Sequence, residues 1–210
     1  MSAIQLKCDP YNLIIAGVGG QGNVMTSRSV GNMLSQLGLF VTIGDTFGMS
    51  QRGGSVMSHL RISTKCSWSP QIPLGRAHMV VSMEPSETIR TLRDYGNPAV
   101  KVITNTRPMF PIGVNTGQLS YPSASEIESW IEEMSEKAWF LNATAEAMKM
   151  GNPVLGNVIL AGALAGTNEL PMRRDIFAGI MAERFTGDLL QQNISAYDYG
   201  VQCVGVVKLT

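Results

Sequence analysis

Cysteine is scarce in this sequence, and its spacing excludes several kinds of site. The 210 residues include three cysteines, Cys8, Cys66 and Cys203, and no two of them form a CxxC pair. Three scattered thiols cannot hold a four-cysteine iron–sulfur cluster or a structural zinc ion within this chain. An odd, scattered set is typical of reduced cysteines, and we expect each of them to be packed in the interior.

An excess of charge is also absent, since 16 basic residues balance 16 acidic ones. Nucleic acids and anionic membranes attract proteins through a basic electrostatic field, so neither is expected as a partner. Long apolar runs are missing too, because the longest candidate, 154–165, is interrupted by Gly156, Asn157 and Gly162. It falls short of the roughly 20 residues that span a bilayer. Residues 1–9 lack a signal-peptide pattern, and we expect a cytoplasmic protein.

Catalytic constellations are the third absence. The sequence has no carboxylate pair, no serine in a nucleophile elbow and no metal-ligand spacing, and its only histidines are His59 and His78. His59 lies on a strand-like segment that leaves a glycine-rich loop, so it is a candidate assisting residue; a buried, hydrogen-bonded histidine is the alternative. This absence predicts that the chemistry is carried by another polypeptide.

Glycine, by contrast, is concentrated in two segments. The apolar run at 12–16 continues into Gly17-Val18-Gly19-Gly20-Gln21-Gly22, and the second cluster is FGMSQRGGS at 47–55. Glycine is needed where the backbone takes a positive φ or approaches another group closely. Because each cluster follows a strand-like run, we predict that the two loops meet at one edge of a sheet.

The first cluster has two interpretations. Gly17, Gly19 and Gly22 match the dinucleotide-binding fingerprint in form, and Asp45 stands where an acidic residue would accept a ribose hydroxyl. The alternative is a tight strand-to-helix turn, which favours glycine for its own reasons. The candidate anion-binding or interface residues here are Gly19, Gly20, Gln21, Gly22 and Asn23.

The second cluster does not belong to that fingerprint. Arg52 offers a planar cation that can clamp a carboxylate or phosphate, and Gln51 can hydrogen-bond a carbonyl. Gln51 and Arg52 are therefore candidate assisting residues, and Ser50, Gly53 and Gly54 are candidate interface residues. A loop held only by its own hydrogen bonds is the alternative.

Hydrophobic periodicity predicts an α/β fold in a single domain, residues 1–210. Strand-like segments lie at 7–16, 39–43, 55–63, 77–83, 99–105 and 138–142, and helical ones at 23–37, 85–93 and 125–137. Further helices are predicted at 143–150, 153–165, 173–185 and 188–199. We expect a three-layer, Rossmann-like, mostly parallel sheet with a helical C-terminal part. A β-hairpin of 55–63 with Cys66–Ser69 is predicted beside it, and a capping box of Ser125 and Glu128 at the start of the third helix.

Several motifs together resemble one family. They are GVGGQGNVMTSRSVG, GDTFGMSQRGGSVMSHLRI, NTRPMFP, KMGNPVLGNVILAGALAG and AYDYG, in this order between residues 11 and 200. In this respect the chain is similar to the small (beta) subunit of indolepyruvate ferredoxin oxidoreductase. That subunit is related to the gamma subunit of the pyruvate and ketoisovalerate ferredoxin oxidoreductases. The segment Gly48–Val56 carries the most specific part of the resemblance.

The resemblance implies a subunit of an enzyme that converts a 2-oxoacid to acyl-CoA, CO2 and reduced ferredoxin. Thiamine diphosphate with its Mg ion and the [4Fe-4S] clusters would lie on a large partner subunit, with coenzyme A as a substrate. The implied partners are that large subunit and ferredoxin through the complex. A homodimer of the isolated chain is a separate expectation, which rests on the apolar helices at 153–199. Phe47 stands where the family pattern has a histidine, which favours an aryl or other apolar 2-oxoacid side chain.

Three hypotheses therefore remain open from the sequence. The first is an assisting subunit of a 2-oxoacid:ferredoxin oxidoreductase. The second is a stand-alone NAD-binding oxidoreductase that uses Gly17, Gly19, Gly22 and Asp45. The third is a purely structural assembly subunit, for which the apolar helices at 153–199 would supply the interface. Their small residues are equally compatible with packing in the core.

Overall fold

Six strands form one mixed sheet in the computed structural model, which describes residues 4–48 and 54–205. The strands are β1 (Tyr11–Val18), β2 (Phe40–Phe47), β3 (Ser55–Ser63), β4 (Met79–Ser82), β5 (Lys101–Asn105) and β6 (Lys137–Leu141). Their order across the sheet is β2-β3-β1-β4-β5-β6. β1, β4, β5 and β6 are parallel neighbours, whereas β3 runs antiparallel to both β1 and β2. The predicted mostly parallel α/β class is confirmed.

The predicted hairpin partner of β3 is wrong. β3 was expected to pair with Cys66–Ser69, but it pairs along its length with β2 on one side and β1 on the other. Both faces of β3 are buried, so the strand lies inside the sheet rather than beside it. The segment after β3 instead crosses one face of the sheet, where the ring of Trp68 lies 4.9 Å from the guanidinium carbon of Arg61.

Helices cover both faces of the sheet. They are α1 (Asn23–Ser35), α2 (Pro85–Tyr95), α3 (Ile112–Asn115), α4 (Ala124–Glu133), α5 (Ala143–Lys149), α6 (Leu155–Gly166), α7 (Arg174–Ala182) and α8 (Gly187–Gly205). The larger apolar core joins one face of the sheet to α1, α6, α7 and α8, and a smaller core joins the other face to α2 and α4. In the described ranges, no helix is both long enough and apolar enough to cross a bilayer.

The predicted cap of α4 is wrong by two residues. The S-x-x-E spacing occurs twice here, and the structure uses Ser123 and Glu126 rather than Ser125 and Glu128. Ser123 accepts a hydrogen bond from the Glu126 N–H, and the Glu126 carboxylate accepts one from the Ser123 N–H. The earlier pair wins because the chain is already helical at Ser125.

The small residues of the C-terminal helices serve packing within the chain. A Cβ on Gly162 of α6 would lie 2.1 Å from the Tyr197 carbonyl oxygen, and one on Gly200 of α8 would lie 2.0 Å from that of Ile159. The two helices therefore touch backbone to backbone. This contact accounts for the glycines without a partner subunit.

The expectation that the cysteines are buried is wrong. Cys8, Cys66 and Cys203 are all exposed. Cys8 precedes β1, Cys66 follows β3, and Cys203 lies on the last turn of α8, so each stands at the end of an element rather than in a packed interior.

Candidate functional site

The two glycine clusters meet at one edge of the sheet, as the sequence predicts. The Gly19 N–H donates a 2.8 Å hydrogen bond to the carbonyl of Gly54, and Val18 stands opposite Ser55 where β1 and β3 pair. Five residues of the second cluster lie outside the described residues: Met49, Ser50, Gln51, Arg52 and Gly53. The described part of this edge is therefore the first cluster together with Gly48, Gly54 and Ser55.

This edge contains the switch point of the sheet. The chain leaves β1 through α1 toward β2, and it leaves β4 through α2 toward β5, so the connections diverge from the gap between β1 and β4. Such a gap, at the carboxyl ends of the strands, is where open α/β sheets bind ligands. The Gln21 side chain crosses it. Its Nε2 donates to the Met83 carbonyl at 3.3 Å, and its Oε1 accepts from the Val18 N–H at 2.8 Å.

At two positions of the turn, neighbouring side chains lie so close to the backbone that only glycine fits. Gly22 is the N-cap of α1 with φ +86°, and a Cβ there would lie 2.3 Å from Nδ2 of Asn157. A Cβ on Gly17 would lie 2.7 Å from Oε1 of Gln21. The turn is thus packed against its own glutamine and against the first turn of α6.

This packing disfavours the dinucleotide-binding interpretation. In that fold the pyrophosphate rests on the first helix N-terminus, but here the Asn157 amide lies against the N-cap of α1. The acidic residue should also follow a strand adjacent to β1. β3 separates β2 from β1, and the Asp45 carboxylate accepts a 2.5 Å hydrogen bond from the Ser58 hydroxyl. Asp45 is therefore engaged within the sheet.

A crevice of about 420 Å³ opens beside the glycine turn. Its floor is polar, since Asn105 at the end of β5 donates to the Met83 carbonyl at 3.0 Å and to the Thr144 hydroxyl at 2.9 Å. Arg107 places a cation in the wall, and its Nη1 lies 3.6 Å from the Met148 sulfur. Asn157 also lines the crevice. We term this space, lined by Gly20–Gly22, Asn105, Arg107 and Asn157, the switch-point crevice.

Sequence reasoning missed Arg107 and Asn157 as site residues. Arg107 lies in NTRPMFP and Asn157 in GNPVLGNV, two segments that stood out only as family motifs. The available signal for Arg107 was a cation just past a buried strand, at the sheet edge where ligands bind. No local pattern marks Asn157, because its contact with Gly22 joins distant parts of the chain.

Glu84 fixes the loop that closes the crevice on one side. The side chain is fully buried, and its carboxylate accepts hydrogen bonds from Ser86 Oγ (2.6 Å), the Glu87 N–H (3.0 Å), the Met109 N–H (3.2 Å) and Tyr121 Oη (2.6 Å). Burial, followed by the bond to the Glu84 carboxylate, raises the pKa of Tyr121. Both ends of the loop at 106–122 are thus attached to the start of α2.

A second cavity, of about 450 Å³, lies under the same loop. Its walls are mainly apolar and include Phe110, Leu119, Tyr121, Ile127 and Phe140. Phe110 and Tyr121 meet edge to face with ring centroids 5.0 Å apart. Pro108 lines this cavity and the switch-point crevice alike.

His59 is placed away from the glycine edge. It stands opposite Ile14 in the middle of β1 and is buried, with Nδ1 accepting from the Ile72 N–H at 3.4 Å and the ring edge-on to Tyr95. Burial lowers the pKa of His59, so the neutral imidazole is favoured. The described contacts of His59 are internal to the fold.

Comparison with known proteins identifies the family. Residues 12–203 match the model of the family described as pyruvate ferredoxin/flavodoxin oxidoreductase. The chain belongs to this family. It is 33% identical over 193 residues to the indolepyruvate oxidoreductase subunit IorB of Pyrococcus horikoshii, covering 91% of this chain and 95% of the relative. The resemblance read from the motifs is confirmed, and the chain is a small subunit of a 2-oxoacid:ferredoxin oxidoreductase, which implies a larger partner subunit.

Solved structures share the fold. The gamma subunit of a keto/oxoacid ferredoxin oxidoreductase from Geobacter sulfurreducens superposes with a TM-score of 0.65 at 15% identity, covering 92% of this chain and 98% of that one. The 2-oxoglutarate:ferredoxin oxidoreductase of Magnetococcus marinus, solved with 2-oxoglutarate, coenzyme A and succinyl-CoA, gives 0.71 at 17% identity over 94% of this chain and 31% of that one. At these identities the likeness concerns the fold alone.

Proposed function

We propose that this small subunit presents the switch-point crevice to a large, thiamine diphosphate-dependent subunit. The complex oxidises indolepyruvate or another aryl or branched 2-oxoacid to acyl-CoA and CO2 and reduces ferredoxin. The observation that carries the proposal is the make-up of the crevice. It offers hydrogen-bonding amides and one cation, Arg107, but no nucleophile with an adjacent base. Residues of this kind can bind and orient a substrate, while another polypeptide catalyses the reaction.

The rim of the crevice supports contact with a partner. Met109 and Val154 line the crevice and are 44% and 66% exposed, and Met148, which is 58% exposed, lies beside the lining residue Arg107. Clustered exposed apolar groups around a polar centre are typical of protein interfaces, where methionine is enriched. The large subunit would cover these side chains and close the crevice from water.

Coenzyme A is the substrate that this chain would help to hold. Its phosphates need cations and N–H donors, and the crevice is lined by the Arg107 guanidinium and the Asn157 side-chain amide. The Magnetococcus marinus protein of the same fold was solved with coenzyme A. Coenzyme A supplies the thiol that accepts the acyl group, and the residues of this chain would orient it. Gln51 and Arg52 lie outside the described residues and remain candidate assisting residues of the same glycine-rich cluster.

The electron carriers would lie on the partner. A [4Fe-4S] cluster needs four cysteine thiolates, and the three cysteines of this chain stand in separate elements. Across residues 4–48 and 54–205, no three His, Cys, Asp or Glu side chains are grouped to hold a metal ion. The cysteines of this chain therefore do not fit a [4Fe-4S] cluster.

Reconstitution tests the proposal. The purified chain should reduce no ferredoxin with any 2-oxoacid, and activity should appear on adding the large subunit, its cofactors and coenzyme A. Turnover by the isolated chain would contradict the assignment. Calorimetric titration of the chain with NAD should give no heat of binding; saturable binding would instead favour the stand-alone oxidoreductase.

A further inference from the structure

The outer edge of β2 is open for pairing. β2 is the terminal strand of the sheet, and within the described residues its only hydrogen-bonded neighbour is β3. Along Phe40–Phe47, the backbone N–H and C=O groups of every second residue therefore point away from the sheet on its open side. Such a row is a template for another strand.

The usual protection of an edge strand is absent from β2. The strand FVTIGDTF contains no lysine, arginine or proline. Its single charge, Asp45, is turned inward, since its carboxylate accepts the 2.5 Å hydrogen bond from Ser58. The ends of the strand carry Phe40 and Phe47, which are 45% and 68% exposed. A strand whose only charged side chain is bound to Ser58 and whose ends are exposed aromatic residues favours pairing over solvation.

Gly44, in the second half of the strand, suits a close approach between two copies. Pro70, from the segment that crosses the sheet face, takes the place of its side chain: a Cβ on Gly44 would lie 2.8 Å from the Pro70 Cβ. The position is thus apolar on that face and carries no side chain of its own.

We propose that the β2 edge binds β2 of a second copy of this chain, antiparallel, about a two-fold axis through Gly44. Antiparallel edge pairing requires an axis normal to the sheet, which keeps each face on its own side. In this register Gly44 faces Gly44, Thr42 faces Thr46 of the other copy, and Val41 faces Phe47. Threonine pairs and aromatic–β-branched pairs are favourable across strands.

The neighbouring register, centred on Ile43, is less favourable. It would separate Thr42 from Thr46 and Val41 from Phe47, and it places Asp45 opposite an aliphatic side chain, Val41, just as the Gly44 register places Asp45 opposite Ile43. The Gly44 register keeps two threonine pairs and two Val41–Phe47 pairs by symmetry. The two sheets join into one continuous sheet.

The association is expected to be weak and concentration-dependent. A single pair of strands buries less than the roughly 1,200–2,000 Å² of a stable, specific interface. The β2 edge is distinct from the switch-point crevice, so this inference does not depend on the function proposed above. It can be tested on the purified chain.

Cysteine cross-linking tests the register directly. In a background with Cys8, Cys66 and Cys203 replaced by serine, the Thr42→Cys/Thr46→Cys double variant should give a disulfide-linked dimer on mild oxidation. A disulfide within one chain is excluded, because residues four apart on a strand are about 13 Å apart, beyond the roughly 7 Å limit for bridging Cα atoms. Each single variant should stay monomeric. Efficient cross-linking of an Ile43→Cys single variant would overturn the Gly44 register.

Sedimentation velocity tests the surface itself. The unmodified chain should show a concentration-dependent monomer–dimer equilibrium, and Phe47→Lys should weaken it at least tenfold. Leu74→Lys is the matched control, since Leu74 is 72% exposed in another segment, and it should leave the equilibrium unchanged. Circular dichroism confirms that each variant is folded. A chain that stays monomeric at millimolar concentration, or a dimer that Phe47→Lys leaves intact, would overturn the proposal.

Discussion

The Tyr121 hydroxyl donates a 2.6 Å hydrogen bond to the fully buried carboxylate of Glu84. This bond and the one from the Met109 N–H attach the loop over the crevice to the N-terminus of α2. Tyr121→Phe should lower the free energy of unfolding by about 1.5–3 kcal/mol, the usual range for a bond to a charged group. Glu84→Gln should cost more, because it also weakens the cap of α2.

Urea unfolding of both single variants and the double variant gives the coupling between Glu84 and Tyr121. We expect a coupling energy of about 1 kcal/mol or more, as found for residues in one hydrogen-bonded network. Strictly additive effects would show that the bond does not contribute to stability.

Replacing glycine by alanine should have opposite effects on stability at two helical positions. One position lies in the α6–α8 contact and the other lies outside it. Gly162→Ala places a Cβ 2.1 Å from the Tyr197 carbonyl oxygen, which forces the helices apart. It should destabilise the fold by about 1–3 kcal/mol, as overpacking does. Gly179→Ala in α7 meets no atom within 4 Å and should stabilise by about 0.5–1 kcal/mol. Thermal unfolding of both variants checks the pair, and equal shifts would contradict the packing.

Glu169 predicts a dependence of stability on acid. Burial acts to raise the pKa of this carboxyl, but hydrogen bonds from Lys101 and Lys7, each 2.8 Å long, hold it below its ordinary value. A carboxyl with a lowered folded-state pKa stabilises the fold above its unfolded pKa, and this contribution is lost as the pH falls through the folded pKa.

The unfolding free energy should therefore drop as the pH falls below about 4.3, the ordinary glutamate pKa. Glu169→Gln should remove that part of the profile and lower stability at neutral pH by about 1–3 kcal/mol. Denaturant unfolding from pH 3 to 7 provides the measurement. A variant whose pH profile matches the parent would remove Glu169 from this role.

A substitution at Arg52 distinguishes the hypothesis of an assisting subunit from that of a purely structural subunit. If the guanidinium clamps an anion in the transition state, Arg52→Ala should lower kcat/KM of the reconstituted complex at least tenfold, or about 1.4 kcal/mol. Arg28, an exposed arginine of α1, provides the control, and Arg28→Ala should be neutral. Unchanged kinetics for Arg52→Ala would favour the structural subunit.

Local sequence patterns predict most of the elements but not all of their neighbours. The glycine turn before α1 and the meeting of the two loops follow from strand-like runs that end in glycine. The insertion of β3 between β1 and β2 does not follow, because an alternating strand pairs equally well on either edge. The cap of α4 is ambiguous for a similar reason, since two S-x-x-E pairs overlap.

The candidate site is predictable only where its residues are local. Gly19 to Asn23 could be found from the turn itself, whereas Asn157 and Glu84 act through contacts with distant segments. In the sequence, Glu84 is recognisable only as the residue before a proline that starts a helix. No local pattern shows that its carboxylate also accepts hydrogen bonds from Met109 and Tyr121. The long-range packing that creates the crevice has no short-range signature.

The most direct test of the account is whether the large subunit binds at the crevice rim. Val154→Glu places a charge on an apolar, 66% exposed position beside Asn157, and Leu74→Glu does the same at a 72% exposed position before β4, at the opposite edge of the sheet. Affinity for the large subunit, measured by calorimetry, should fall more than tenfold for Val154→Glu and stay unchanged for Leu74→Glu. If Val154→Glu bound the large subunit with full affinity and Leu74→Glu lost affinity, the partner would bind near the amino ends of β1 and β4. That result would contradict the proposed role of the crevice.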